Sequence, residues 1–151
     1  MDNHHHQADY PIGLLIHAVN SHKDKILEEY LIDKDISPSQ LKVLMGIYKG
    51  LTTPAELIRH MGIDSGSLSR MLERMVRHKV VIRLPDPDDR RYVRLSLTDK
   101  GNQLCIDFER DGMVNLPMKI TERLNTEEVR TLTSLLIKML PEDVLNCYFP
   151  Y

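Results

Sequence analysis

Cysteine is scarce in this chain: 151 residues hold two, Cys105 and Cys147. Two thiols make no disulfide framework, and their rarity fits a reducing compartment. Long apolar runs are also missing. None approaches the ~20 residues that a membrane-spanning helix needs, and residues 1–10 are too polar for a signal peptide. Metal-ligand spacings are absent. His17 and His22 stand five residues apart, whereas a helical metal pair stands at four. The triplet His4-His5-His6 reads as a polar terminus or a cloning remnant rather than a metal site. There is no phosphate-binding loop and no nucleophile elbow. An enzyme therefore has no constellation to rest on, and neither a catalytic residue nor a cofactor is expected. What remains is a cytoplasmic protein of one domain or two fused subdomains.

Positive charge is the resource that is concentrated. Residues 59–94 hold eight of the eleven arginines. Nine basic and five acidic side chains fall in that stretch, against eleven and seventeen in the remainder, and the whole chain is net −2. A local basic face on an acidic protein is a docking surface for a polyanion, with double-stranded DNA the first candidate.

Periodicity places this stretch among helices. Residues 11–32 repeat apolar side chains near the 3.6 period (Ile12, Leu15, Ile16, Val19, Ile26, Leu27, Tyr30, Leu31) and predict a long helix. Ser37-Pro38-Ser39-Gln40 and Thr53-Pro54-Ala55-Glu56 each combine a cap, a first-turn proline and a capping-box partner. They open a second helix ending at Gly50 and a short third one stopped by Gly62. Asp64 or Ser65 caps a fourth, running to about His78 with Leu68, Met71, Leu72 and Met75 inward. Residues 80–97 then switch to alternation. Val80, Ile82 and Leu84, then Val93, Leu95 and Leu97, predict a β-hairpin with one buried edge. Thr98 caps a helix to about Arg123, with a kink expected at Pro117. Thr126 opens a last helix that Pro141 breaks. The tail beyond, with Val144, Leu145, Cys147, Tyr148 and Phe149, is apolar enough to suggest burial against a second copy of the chain.

Two short helices followed by a hairpin make a winged helix-turn-helix, whose second helix enters the major groove. Ser65, Gly66 and Ser67 let the backbone approach closely, and free N–H groups at the helix start suit a phosphate. Ser69, Arg70 and Arg74 continue on the exposed side, where an arginine reads guanine. At the wing tip, Pro85 to Arg91, Asp89 is placed to brace Arg91 or Arg90, holding one arginine out toward a minor groove.

The residues also carry a family resemblance. Thr53 to Leu57, Ser67 to Met75, Arg83 to Arg91 and Leu97-Thr98-Asp99-Lys100-Gly101 together resemble the MarR family of transcriptional regulators, and within it the multiple-antibiotic-resistance repressor branch, over residues 10–141. The resemblance implies a mainly α fold with a small β-hairpin. A winged helix-turn-helix domain (37–98) would join a helical dimerisation domain built from residues 1–36 and 99–151. It implies a homodimeric repressor on a pseudo-palindromic operator, released by a small aromatic anion of the salicylate kind. By motif, Ser65, Ser67, Ser69, Arg70 and Arg74 fall on the recognition helix, and Asp89, Arg90 and Arg91 on the wing. Pro54, Ser69, Met71 and Arg83 fall where an aromatic carboxylate sits in that branch, Arg83 holding it and Ser69 donating to it. The family usually has glycine where this chain has Lys79. A left-handed lysine there costs ~1 kcal/mol relative to glycine, or the turn takes another shape.

Two further readings stand beside this one. An oxidative switch would act through Cys147 or Cys105, although both read more readily as packing cysteines. A winged-helix protein-interaction module would have no use for a basic wing tip.

Overall fold

A computed structural model describes residues 10–148, so His4-His5-His6 and Phe149 lie outside the described residues, as does the side chain of Cys147. In chain order the elements are α1 (Ile12–Leu31), α2 (Pro38–Tyr48), α3 (Pro54–Met61), α4 (Ser65–Arg77), β1 (Val81–Pro85), β2 (Val93–Leu97), α5 (Asp99–Asp107), a π-helical turn (Phe108–Gly112), α6 (Met113–Ile120), α7 (Thr126–Met139) and α8 (Glu142–Tyr148).

The helices start where the caps demand. The Gln40 N–H donates to Ser37 Oγ at 3.2 Å while the Ser37 N–H donates to Gln40 Oε1 at 2.8 Å. Thr53 and Glu56 repeat the exchange, and Glu56 also accepts from the Thr52 N–H at 2.9 Å. Each such cap contributes ~1 kcal/mol. Gly62 ends α3 in the left-handed region at φ 62°, open to glycine without steric cost. Asn125, one residue before the expected start, caps α7 through the Glu128 N–H.

One core joins these pieces. Leu31, Leu44, Leu57, Leu68, Met75, Val80, Val81 and Leu95 are all essentially fully buried. The Leu95 N–H donates to the Thr52 carbonyl at 2.7 Å, so the link between α2 and α3 borders the hairpin. Val80 is the other junction. Its carbonyl accepts from the Thr98 N–H, and a Cβ on Gly101 would run into it, so α5 can dock here only with glycine at 101. That is a physical reason for the Leu97-Thr98-Asp99-Lys100-Gly101 pattern.

The hairpin departs from the alternation expected of it. Val80 and Val81 are both buried, and Ile82 and Leu84 are exposed. Pairing explains the difference. Val81 opposes Leu97 and Arg83 opposes Leu95, whereas Ile82 and Leu84 oppose Ser96 and Arg94 on the other face. Val80 precedes the strand and closes the exit of α4, its N–H donating to the Met75 carbonyl.

The break in the long helix after Thr98 lies at Phe108–Gly112, upstream of Pro117. Proline gives no N–H to the preceding turn, yet Pro117 sits inside α6. The irregular turn forms around Phe108, whose ring packs edge-on against Tyr30 at 6.0 Å. A Cβ on Gly112 would collide with that ring. Beyond Pro141 the chain forms the short helix α8 rather than a plain tail.

Candidate nucleic-acid interface

Helix α4 presents its face as its periodicity requires. Leu68, Leu72 and Met75 are buried, Met71 is half-buried, and Ser65, Ser69, Arg70 and Arg74 are exposed. At ~1.5 Å per residue its thirteen residues span ~20 Å, enough to lie along a major groove. Asp64 caps it, accepting from the Ser67 N–H at 2.9 Å. Hydrogen bonding from the Ser67 side chain, and then from its N–H, holds the Asp64 carboxyl below its ordinary range. One N–H expected to meet a phosphate is therefore occupied by this chain's own carboxylate. Arg70 Nη2 lies 3.3 Å from Ser67 Oγ, folding the guanidinium back over the first turn.

At the exit of α4, Lys79 adopts φ 58°. This is the left-handed lysine of the two shapes the sequence allowed, and it is held from three directions. The Lys79 N–H donates to the Val76 carbonyl, Thr98 Oγ1 donates to the Lys79 carbonyl at 2.6 Å, and Lys100 Nζ donates to the His78 carbonyl at 3.2 Å. The angle between recognition helix and wing is thus fixed without glycine.

The wing tip answers which arginine Asp89 holds. Its carboxylate accepts from Arg91 Nε at 3.0 and 3.2 Å and from Arg91 Nη2 at 2.7 Å, and also from the Arg91 N–H at 3.0 Å. The pairing holds the Asp89 carboxyl below its ordinary range and raises the guanidinium of Arg91. The Arg91 side chain is nonetheless 85% exposed. Arg90 is exposed beside it.

A second carboxylate at the tip has no counterpart in the sequence reading. Asp86 Oδ1 accepts from the Asp88 and Asp89 N–H groups at 2.8 and 3.2 Å, and Oδ2 accepts from Arg94 Nε at 2.6 Å. The Arg94 guanidinium is the main reason its carboxyl lies below the ordinary range. An aspartate ahead of Pro-Asp-Asp is an Asx-turn signal, and Arg94 is the near-opposite residue once the hairpin register is known.

The match of this geometry to known proteins is close. The MarR family model matches residues 34–91. The multiple antibiotic resistance protein MarR of Escherichia coli K12 is 42% identical over 132 residues, covering 87% of this chain and 92% of that protein. This chain belongs to the MarR family. The reduced form of E. coli MarR superposes with a TM-score of 0.81 at 41% identity, over 87% of this chain and 98% of that one. A cysteine-to-serine variant of E. coli MarR complexed with operator DNA gives a TM-score of 0.78 at 42% identity, over 87% of this chain and 94% of that one. As in the MarR family generally, regulation rather than catalysis is the role of such a chain.

The residues expected at a ligand are placed less tightly. Pro54 and Met71 are half-buried, and Ser69 and Arg83 are exposed. None of them lines either of the two described cavities. The larger, about 630 Å³, lies among α1, α2, the end of α3, the π-helical turn and the second half of α6. Leu41, Met45, Phe108, Leu116 and Ile120 give it apolar walls, and Lys23, Lys42, Lys49 and His60 border it with no carboxylate among the lining residues. Cys105 is fully buried, and burial pushes its thiol up to about 11. At neutral pH it is a thiol, not a nucleophilic thiolate. No group of three or more His, Cys, Asp or Glu among the described residues could hold a metal, and no helix among them is long and apolar enough to cross a membrane.

Proposed function

We propose that this MarR-family chain is a cytoplasmic, homodimeric repressor. It binds a pseudo-palindromic operator through α4 and the wing, and a small aromatic anion releases it. The observation that carries the DNA reading is the braced but 85% exposed Arg91, together with the exposed polar face of α4. A guanidinium held in one orientation loses little freedom on entering a minor groove. Ser65, Ser67, Ser69, Arg70 and Arg74 supply the major-groove contacts, and Arg90 adds a phosphate contact. E. coli MarR, with which this chain shares 42% identity, has been crystallised as a variant on operator DNA.

Residues 37–98 form the DNA-binding unit, and residues 1–36 with 99–151 form the dimerisation unit. Support for the second comes from the exposed apolar side chains of α1 and α7, such as Ile12, Val19, Leu132 and Leu135. Two-fold pairing there would set the two copies of α4 ~34–36 Å apart, one DNA turn. A ligand that favours another spacing releases the operator. The cavity bordered by lysines fits an anion with an apolar body. Pro54, Ser69, Met71 and Arg83 are the alternative seat for its carboxylate.

The test is a fluorescence-anisotropy titration onto DNA from upstream of the gene, across a salt series, with and without salicylate. Tight binding that weakens with salt and again with salicylate is the expected result. If Lys42→Ala abolishes the salicylate response and Arg83→Ala does not, the ligand lies in the cavity, and the reverse places it at Arg83. Operator affinity indifferent to saturating aromatic acids would remove the ligand half of the proposal.

A further inference from the structure

The wing of a DNA-binding protein has to hold its arginine against thermal motion in a loop open to water. Here two of the loop's three carboxylates pair with arginines, and they act at different ranges. Asp89 pairs with Arg91 two residues along. Asp86 pairs with Arg94 eight residues along, across the hairpin, at 2.6 Å. The Asp86 side chain is 13% exposed, the Arg94 side chain 43%. The two carboxylates are joined through the backbone, because Asp86 Oδ1 accepts from the N–H of Asp89 itself as well as that of Asp88. The Asp86 N–H meanwhile donates to the Tyr92 carbonyl, and the Tyr92 N–H to the Asp89 carbonyl. An unbroken chain of hydrogen bonds therefore runs from β2 through Arg94 and Asp86 to Asp89, and from there to the exposed guanidinium of Arg91.

We infer that Asp86 and Arg94 are a positioning pair that sets the direction of Arg91, so that operator affinity depends on a carboxylate that does not itself contact DNA. The inference rests on the DNA-binding reading of the wing. Its physical content is a sign. A carboxylate at a polyanion-binding surface repels the ligand, and deleting it should tighten binding to any duplex. Weaker binding to the operator, with binding to other duplexes kept, then reports lost orientation rather than lost charge.

Asp86→Asn is the discriminating variant. Its amide oxygen can still accept the Asp88 and Asp89 N–H groups, but its –NH2 cannot accept from Arg94 Nε. The probes are a duplex selected by the wild-type protein from a random pool, and a scrambled duplex, both at the same salt. The selected duplex should bind about three- to tenfold more weakly, the scale of a coupled charge pair, while the scrambled duplex binds equally or more tightly. Arg94→Gln, which breaks the pair from the other side, should reproduce the loss of preference. Arg91→Ala should cost less in the Asp86→Asn background than in the wild type, although Asp86 and Arg91 share no hydrogen bond. A loss of fold alone would lower binding to both duplexes together and leave no such coupling, and either pattern overturns the inference. Selected-duplex affinity that is unchanged or tighter in Asp86→Asn overturns it as well, with the DNA reading intact. A wild-type protein that enriches no duplex removes that reading and this inference together.

Discussion

The two ends of the chain and its middle treat apolar side chains in opposite ways. Between Ser37 and Thr98, outside the outer face of the hairpin, they turn inward: Leu44, Leu57, Leu68, Met75, Val81 and Leu95 are fully buried. In α7 no residue is buried, and Leu132, Leu135, Leu136, Ile137 and Met139 are all exposed. The first half of α1 is the same, whereas its second half buries Ile26, Leu27 and Leu31. Capping does not account for the difference, because α7 is capped by a full capping box as α2 and α3 are. The difference teaches that periodicity specifies a face but not what covers it. The middle finds its cover within the chain, and the ends leave an apolar face exposed, the surface that the proposed dimer would cover.

The strongest way to break the comparison is to charge α7. Leu135→Glu should convert a dimer to a monomer by sedimentation velocity, and lower operator affinity by about two to four orders of magnitude, because two tethered half-site contacts become one. A variant that stays dimeric would place the interface elsewhere. In the middle, a cavity is the sharper probe. Leu57→Ala should cost ~2–5 kcal/mol in urea unfolding, since the site is fully buried, and a loss under 1 kcal/mol would mean a looser core than described.

Much of the middle was legible because its signals are local. Ser37, Thr53, Asp64 and Thr98 cap the helices they were expected to cap, and Gly62 ends α3 as a left-handed glycine. Non-local choices were not legible. Alternation in β1 could not say which face meets the core, since that depends on Arg83 opposing Leu95. The π-helical turn carries no local breaker residue like proline: it begins at Phe108, whose ring packs on Tyr30, far away in sequence. Pro117 was the visible breaker, yet it is accommodated within α6. At the wing, composition left Arg90 and Arg91 equal as partners of Asp89, and only the turn geometry selects Arg91. Asp86 was missed because its partner lies across the hairpin.

Smaller effects sharpen the junction between recognition helix and wing. Lys79→Gly should raise stability by ~0.5–1 kcal/mol, relieving a left-handed side chain, with operator affinity unchanged. Destabilisation would mean that the lysine contributes more than its backbone strain costs. The smallest effect concerns pH. Asp86 and Asp89 are depressed by Arg94 and Arg91, so their contribution is fully present above the unfolded aspartate value of ~3.9 and is lost as pH falls through the lower folded values. The Nε resonance of Arg91 should therefore be flat from pH 5 to 8 and move only in acid, whereas a change near pH 6.5 would point to a histidine instead.

The central claim is that α4 and the braced wing together read DNA. The most direct test is the slope of log Kd against log salt for wild type and Arg91→Ala on the selected and scrambled duplexes. A steep wild-type slope, a preference for the selected duplex, and a slope shallower by about one phosphate contact in the variant are expected. Equal affinity for both duplexes, with a slope untouched by the loss of Arg91, would contradict it.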